Sequence, residues 1–136
     1  MFSILGFSQN KILDNIEMYY DQGNYKKVYK KTHKLLKTEE FNNSPTLKLF
    51  HALAEYQLSK TSRKYTVGKA YDNYRQFKQQ DVEGLFRLKF DIYIYDMQLG
   101  MANHIRDLNN KANKKEALKT YAIFKELFKK TPKIKK

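Results

Sequence analysis

The sequence predicts an all-α protein of about six helices, taken as three consecutive antiparallel pairs. Three observations carry this. Apolar residues recur at i, i+3 or i+4 and i+7 along nearly the whole chain, only five Gly and two Pro interrupt 136 residues, and the breaks coincide with helix start and stop signals. A chain of this length is one domain's worth, and 41% hydrophobic with 15% aromatic residues is too rich for a disordered polymer.

The first helix is expected over roughly 9–22, from the stripe Ile12, Ile16, Tyr19 and Tyr20, with Gly23 as its stop. Asn24 then caps a second helix, whose stripe is Val28, Leu35 and Leu36 and whose remaining surface is lysine. Ser44 followed by Pro45 has the polarity of an N-cap and a first helical position, and opens a third helix through Leu47, Phe50, Leu53, Ala54 and Leu58. The fourth carries Val67, Ala70, Tyr71, Tyr74 and Phe77 and ends near Gln80. Asp81 reads as the N-cap of a long fifth helix holding Leu85, Phe86, Leu88, Ile92, Tyr95, Leu99 and Ile105, with Gly100 as a place for a kink. After the turn "NNKAN", a sixth helix holds Ala117, Leu118, Tyr121, Phe124, Leu127 and Phe128. The stretch "FDIYIYDM", 90–97, is β-branched and aromatic enough to be a strand in isolation, but no other segment offers it a partner.

The chain divides into an apolar segment over 1–8, a helical repeat domain over 9–130 and a basic tail over 131–136. Phe2, Ile4, Leu5 and Phe7 followed by Ser8 and Gln9 leave two readings of the start. One is a first helical turn packed on the domain; the other is the end of a signal peptide, which would place the protein in a bacterial periplasm or cell envelope rather than the cytoplasm. No stretch reaches the length of apolar sequence that a membrane span requires.

The stretch Tyr19-Tyr20-Asp21-Gln22-Gly23-Asn24-Tyr25 resembles the joint of a tetratricopeptide repeat, with an aromatic pair ending one helix, a Gly-Asn turn, and an aromatic opening the next. Ala70 with Tyr74, and Ala117 with Tyr121, repeat the small-then-aromatic spacing of that family's second helices, and "ANKKEAL", 112–118, resembles their opening. The resemblance is degenerate. Ile12, Asn15 and Ile16 stand where the family has Trp, Leu and Gly, and Val28 and Thr32 where it has Ala and an aromatic. The positions Val28, Ala70 and Ala117 lie 42 and 47 residues apart, longer than that family's repeat of about 34 and within the range of HEAT or armadillo repeats. The resemblance implies a right-handed α-solenoid, with first helices lining a concave face and second helices forming the back.

Charge divides along the same lines. The segments 1–22, 38–59 and 81–110, which hold the first helices, carry −2 each, whereas 23–37, 60–80 and 111–136 carry +6, +5 and +8, returning the net +13. The expected molecule is thus polarised. Its concave, peptide-binding face would present Tyr20, Asp21, His51, Glu55, Tyr56, Tyr93, Tyr95 and Asp96, suited to an extended or helical segment of neutral or basic character. Its back would be a basic surface of Lys26, Lys27, Lys30, Lys31, Lys34, Lys114, Lys115 and Lys119. Nucleic acid or an anionic membrane is the alternative partner for that surface, but 23 Lys against 4 Arg is not the balance of a dedicated phosphate or base reader.

Catalytic chemistry finds little support. There is no Cys, hence no thiol nucleophile or thiolate metal site. His33, His51 and His104 fall on different helices without a second His at i+4, Asp91 and Asp96 are five apart and do not share a helical face, and no Gly-rich phosphate loop or nucleophile elbow occurs. The sequence therefore predicts a non-enzymatic interaction module or scaffold with no cofactor and no metal, binding a protein or peptide segment. Phe124, Leu127 and Phe128 leave the last helix apolar enough to seek a further neighbour or a second copy.

Overall fold

The computed structural model describes residues 2–128, with side chains from Asn10 onward. The basic tail expected over 131–136 lies outside the described residues, as do the side chains of the apolar segment 1–8. The described chain is all-helical: α1 (Phe2–Asp21), α2 (Tyr25–Leu35), α3 (Pro45–Ser59), α4 (Val67–Gln80), α5 (Leu85–Lys89), α6 (Asp91–Asn110) and α7 (Lys114–Phe128). No strand occurs among these residues, and 90–97, the one strand candidate, is helical from Asp91. None of these helices is long and apolar enough to cross a membrane. Two compact units result, one ending at Lys89 and the other beginning at Phe90.

In the first unit α3 is the central element, in contact with α1, α2 and α4. Its sequence explains this: Leu47, Leu49, Phe50, Ala52, Leu53 and Ala54 surround the helix with apolar side chains, all of them buried. Ile16, Val28, Ala70, Tyr74 and Phe77 from the flanking helices close the core. Ser44 caps α3 as expected, accepting from the Leu47 amide at 3.3 Å with Pro45 next in line. Thr66 does the same for α4 by accepting from Lys69 N at 3.3 Å.

The α1–α2 joint is a Schellman turn. Asn24 N donates to Tyr19 O at 2.9 Å and Gly23 N to Tyr20 O at 2.9 Å, around Gly23 at φ +75°. Asn24 makes no side-chain cap bond, contrary to expectation: its backbone sits at φ −87° and ψ 63°, outside the extended region from which Ser44 and Thr66 cap their helices. The α6–α7 joint repeats the geometry. Asn113 N donates to Leu108 O at 2.9 Å and Ala112 N to Asn109 O at 3.1 Å, with Ala112 at φ +59° in the place of Gly23. A Cβ in the left-handed region is strained, so Ala112→Gly is expected to stabilise the second unit by about 1 kcal/mol, read as a rise in thermal midpoint.

The fifth helix differs from its expected form. Asp81 is not the N-cap of a continuous helix but the residue that ends α4, and its carboxylate accepts from the amides of Phe86 at 3.1 Å and Arg87 at 3.0 Å. The short α5 that results stops at Lys89, and the chain restarts at Phe90, buried with φ −114° and ψ 29° at the N-terminus of α6. Among the described residues seven helices therefore stand where six are expected. Gly100 is accommodated within α6, which runs unbroken from Asp91 to Asn110. The second unit is α6 packed with α7, with Ile94, Met97 and Met101 buried on one side and Ala117, Thr120 and Leu127 on the other.

Candidate functional site

The residues expected to form one peptide-binding face do not share an environment. Tyr20 is buried, its ring 4.9 Å from Tyr25 and 5.5 Å from Phe50, and its hydroxyl accepts from Gln57 Nε2 at 3.2 Å. Tyr56 is buried too, with Lys60 Nζ 4.8 Å from its ring centroid. These tyrosines wedge helices together and offer no ring to a ligand. Asp21 is exposed at the end of α1.

His51 and Glu55 point toward α2 and α4, the lysine-bearing helices, rather than toward an acidic groove. The His51 ring stacks on Tyr29 at 4.5 Å and lies 6.0 Å from His33, and Tyr65 meets Tyr29 edge-on at 5.0 Å. His51 Nδ1 is 2.8 Å from Thr32 Oγ1, which itself donates to the Val28 carbonyl at 2.8 Å. The Thr32 hydroxyl also lies 3.1 Å from the Tyr29 carbonyl, and which partner of the Thr32–His51 contact donates follows from the imidazole tautomer. Burial, reinforced by His33, pushes His51 down to about 4. Glu55 is buried and accepts from Asn73 Nδ2 at 2.6 Å; burial raises its pKa, opposed by that hydrogen bond and by Lys69. Burial likewise raises Tyr29, with Glu55 and then Tyr65 adding to it.

This cluster is a satisfied network between helices, and its consequence is pH-dependent stability. An unfolded His51 takes up a proton below about 6.5 while the folded one stays neutral to about 4. Stability is therefore whole above 6.5 and falls with pH toward 4; the loss between pH 7 and pH 5 is expected to be about 2 kcal/mol, with the raised Glu55 acting in the opposite sense. Urea midpoints at the two pH values test this, and His51→Gln should flatten the slope.

Besides Asp21, the exposed candidates are on α6. Tyr95 and Asp96 are solvent-facing, whereas Tyr93 is half-buried with its ring 6.2 Å from Phe90. Tyr95 stands with Ile92 and Leu99 on a stripe that is 79%, 61% and 46% exposed at Ile92, Tyr95 and Leu99. At i, i+3 and i+7 these three lie on the side of α6 opposite the buried Ile94, Met97 and Met101. Ile92 and Leu99 are thus surface residues, although helical spacing assigns them equally well to a core. A second apolar feature, a recess of about 360 Å³, lies between α6 and α7, where Ile105 and Ala117 meet the exposed Leu118 and Tyr121. Phe124 and Phe128 are half-buried and in ring contact at 5.3 Å, and Leu127 is buried.

All eight lysines of the expected basic surface are exposed. The structure gathers Lys26, Lys27, Lys30, Lys31 and Lys34 on α2, while Lys114, Lys115 and Lys119 belong to α7 in the second unit, where Lys119 lies 4.0 Å from Glu116. Among the described residues, no group of three His, Cys, Asp or Glu side chains could hold a metal ion. Tyr29, Tyr65 and Asn73 complete the His51 network without having been marked by any sequence motif. Comparison with known proteins adds no relative: no family model, no curated protein and no solved structure matches this chain.

Proposed function

We propose that this chain is a non-enzymatic interaction module that binds a protein segment through the outer face of α6. The observation that carries the reading is the stripe Ile92, Tyr95 and Leu99, three large apolar side chains left in water on one helical face and bordered by Asp96. Full burial of a side chain of this size is worth on the order of 1.5–3 kcal/mol, a partner covering these partly exposed groups gains a fraction of that at each, and contiguous exposure of this kind marks interaction surfaces. Anchors at i, i+3 and i+7 suit a partner helix or extended segment laid along α6, with Tyr95 as the aromatic anchor and Asp96 selecting neutral or basic neighbours.

The helical-repeat relationship is part of the same proposal. It is supported by the matching Schellman turns at 19–24 and 108–113, and by the packing of α3 against both members of the preceding pair. In it α1–α2, α3–α4 and α6–α7 are degenerate tetratricopeptide-like pairs, and α6 is the first helix of the last one. Because Tyr20 and Tyr56 serve the core, binding falls to the α6 members of the expected face. Replacing Tyr95 and Leu99 together by alanine is expected to weaken a purified partner at least about tenfold, whereas Lys114→Glu with Lys115→Glu should change affinity far less. Titration calorimetry with these variants tests the reading, and equal affinity for the alanine variant and the native chain would refute it.

A further inference from the structure

A second apolar recess, built from other residues, lies in the first unit. Between α1 and α2 is a recess of about 250 Å³ whose floor is Ile12, Ile16 and Leu35, with Tyr19 at one end and Lys31 and Lys34 along its rim. No carboxylate lines it, and α2 itself, YKKVYKKTHKL, contains no acidic residue. None of Lys26, Lys27, Lys30, Lys31 and Lys34 is in an ion pair among the described residues. Five uncompensated charges on an eleven-residue helix repel one another, and at this position they flank an apolar trough.

We propose that this recess receives an acidic amphipathic helix from a partner protein. Apolar residues of that helix at i, i+3 and i+4 enter the Ile12–Ile16–Leu35 trough, and its flanking Asp or Glu side chains meet Lys31 and Lys34. Lys27, Lys31 and Lys34 occupy i, i+4 and i+7 of α2, a row about 10 Å long that matches carboxylates repeating on one face of another helix. Apolar Ile12, Ile16 and Leu35 beside the exposed Lys31 and Lys34 make an apolar strip flanked by positive charge, the complement of an acidic amphipathic helix. Tyr19 is the one aromatic ring among the lining residues, with Lys27 Nζ 4.2 Å from its centroid, so the recess offers no run of rings for successive bases to stack on.

The test uses the full chain and a synthetic helical peptide with leucines at i, i+3 and i+4 and glutamates on both flanks, titrated calorimetrically at physiological ionic strength. Two double variants with the same change in net charge are compared, Lys31→Glu with Lys34→Glu and Lys26→Glu with Lys30→Glu. The first is expected to weaken the peptide at least about tenfold and the second no more than about twofold, because only the first pair borders the trough. A lysine-for-glutamate version of the peptide should bind the first variant and not the native chain, and serine in place of the leucines should abolish binding. Tyr95→Ala with Leu99→Ala should leave this affinity unchanged, which separates the result from the α6 proposal. Equal losses in the two charge variants would overturn the inference by showing unspecific attraction to a basic protein. So would Lys31- and Lys34-dependent binding to phosphatidylglycerol vesicles or a DNA duplex in the absence of peptide binding.

Discussion

Replacing Phe50 by alanine is expected to cost about 4 kcal/mol, among the largest losses any single truncation in the first unit should produce. Phe50 is fully buried on α3, the helix that touches α1, α2 and α4, and its ring stands 5.5 Å from Tyr20. Truncation removes the transfer free energy of the ring and leaves a cavity that three surrounding helices cannot all close at once. Urea denaturation followed by circular dichroism measures the effect. Tyr95→Ala is the matched control: an aromatic of similar size, largely in water, whose loss should stay within about 0.5 kcal/mol. Comparable losses for both would contradict the burial pattern on which the functional reading rests.

Asp81→Ala is expected to cost about 3 kcal/mol. The carboxylate is buried and accepts from two backbone amides and from Arg87 Nε at 3.0 Å, while Arg87 Nη2 donates back to the Asp81 carbonyl at 2.7 Å. Deleting it orphans the amides that begin α5 and leaves a half-buried guanidinium with fewer partners. The Arg87→Ala variant separates these contributions. If the ion pair dominates, the double variant should cost less than the two single changes taken together by at least about 1 kcal/mol, whereas additivity would assign the effect to the backbone amides. Tyr74, raised to about 12 mainly by burial, is also influenced by both charges, so the tyrosine titration is a second readout of the same joint.

Much of the helical layout was legible because its signals are local. Ser44-Pro45 and Gly23 each fix one helix boundary through one or two backbone bonds, and the boundaries of α3 and α4 followed. Asp81 was misread for a physical reason. A capping carboxylate ordinarily serves amides two or three residues on, and here it reaches five and six residues on, which no local pattern announces. The candidate site was harder still. Helix α6 carries two opposed apolar stripes, Ile94-Met97-Met101 and Ile92-Tyr95-Leu99, and periodicity alone cannot tell which is buried. Glu55 shows the converse: charge counting placed it on a polar surface, but the apolar residues on every side of α3 carry its carboxyl inward to Asn73. Sorting of acid and base between first and second helices thus holds as a sum over segments and fails at His51 and Glu55, whose neighbours are drawn from α2 and α4.

The most direct test of the central claim is site-specific photo-crosslinking of the full chain in a native extract, with benzoylphenylalanine at position 95 and, for comparison, at the exposed position 76 on α4. A discrete protein adduct is expected from position 95 that is absent from position 76, is competed away by unlabelled native chain, and survives competition by the Tyr95→Ala, Leu99→Ala variant. The same adducts from both positions, or equal competition by the native and variant chains, would contradict the claim.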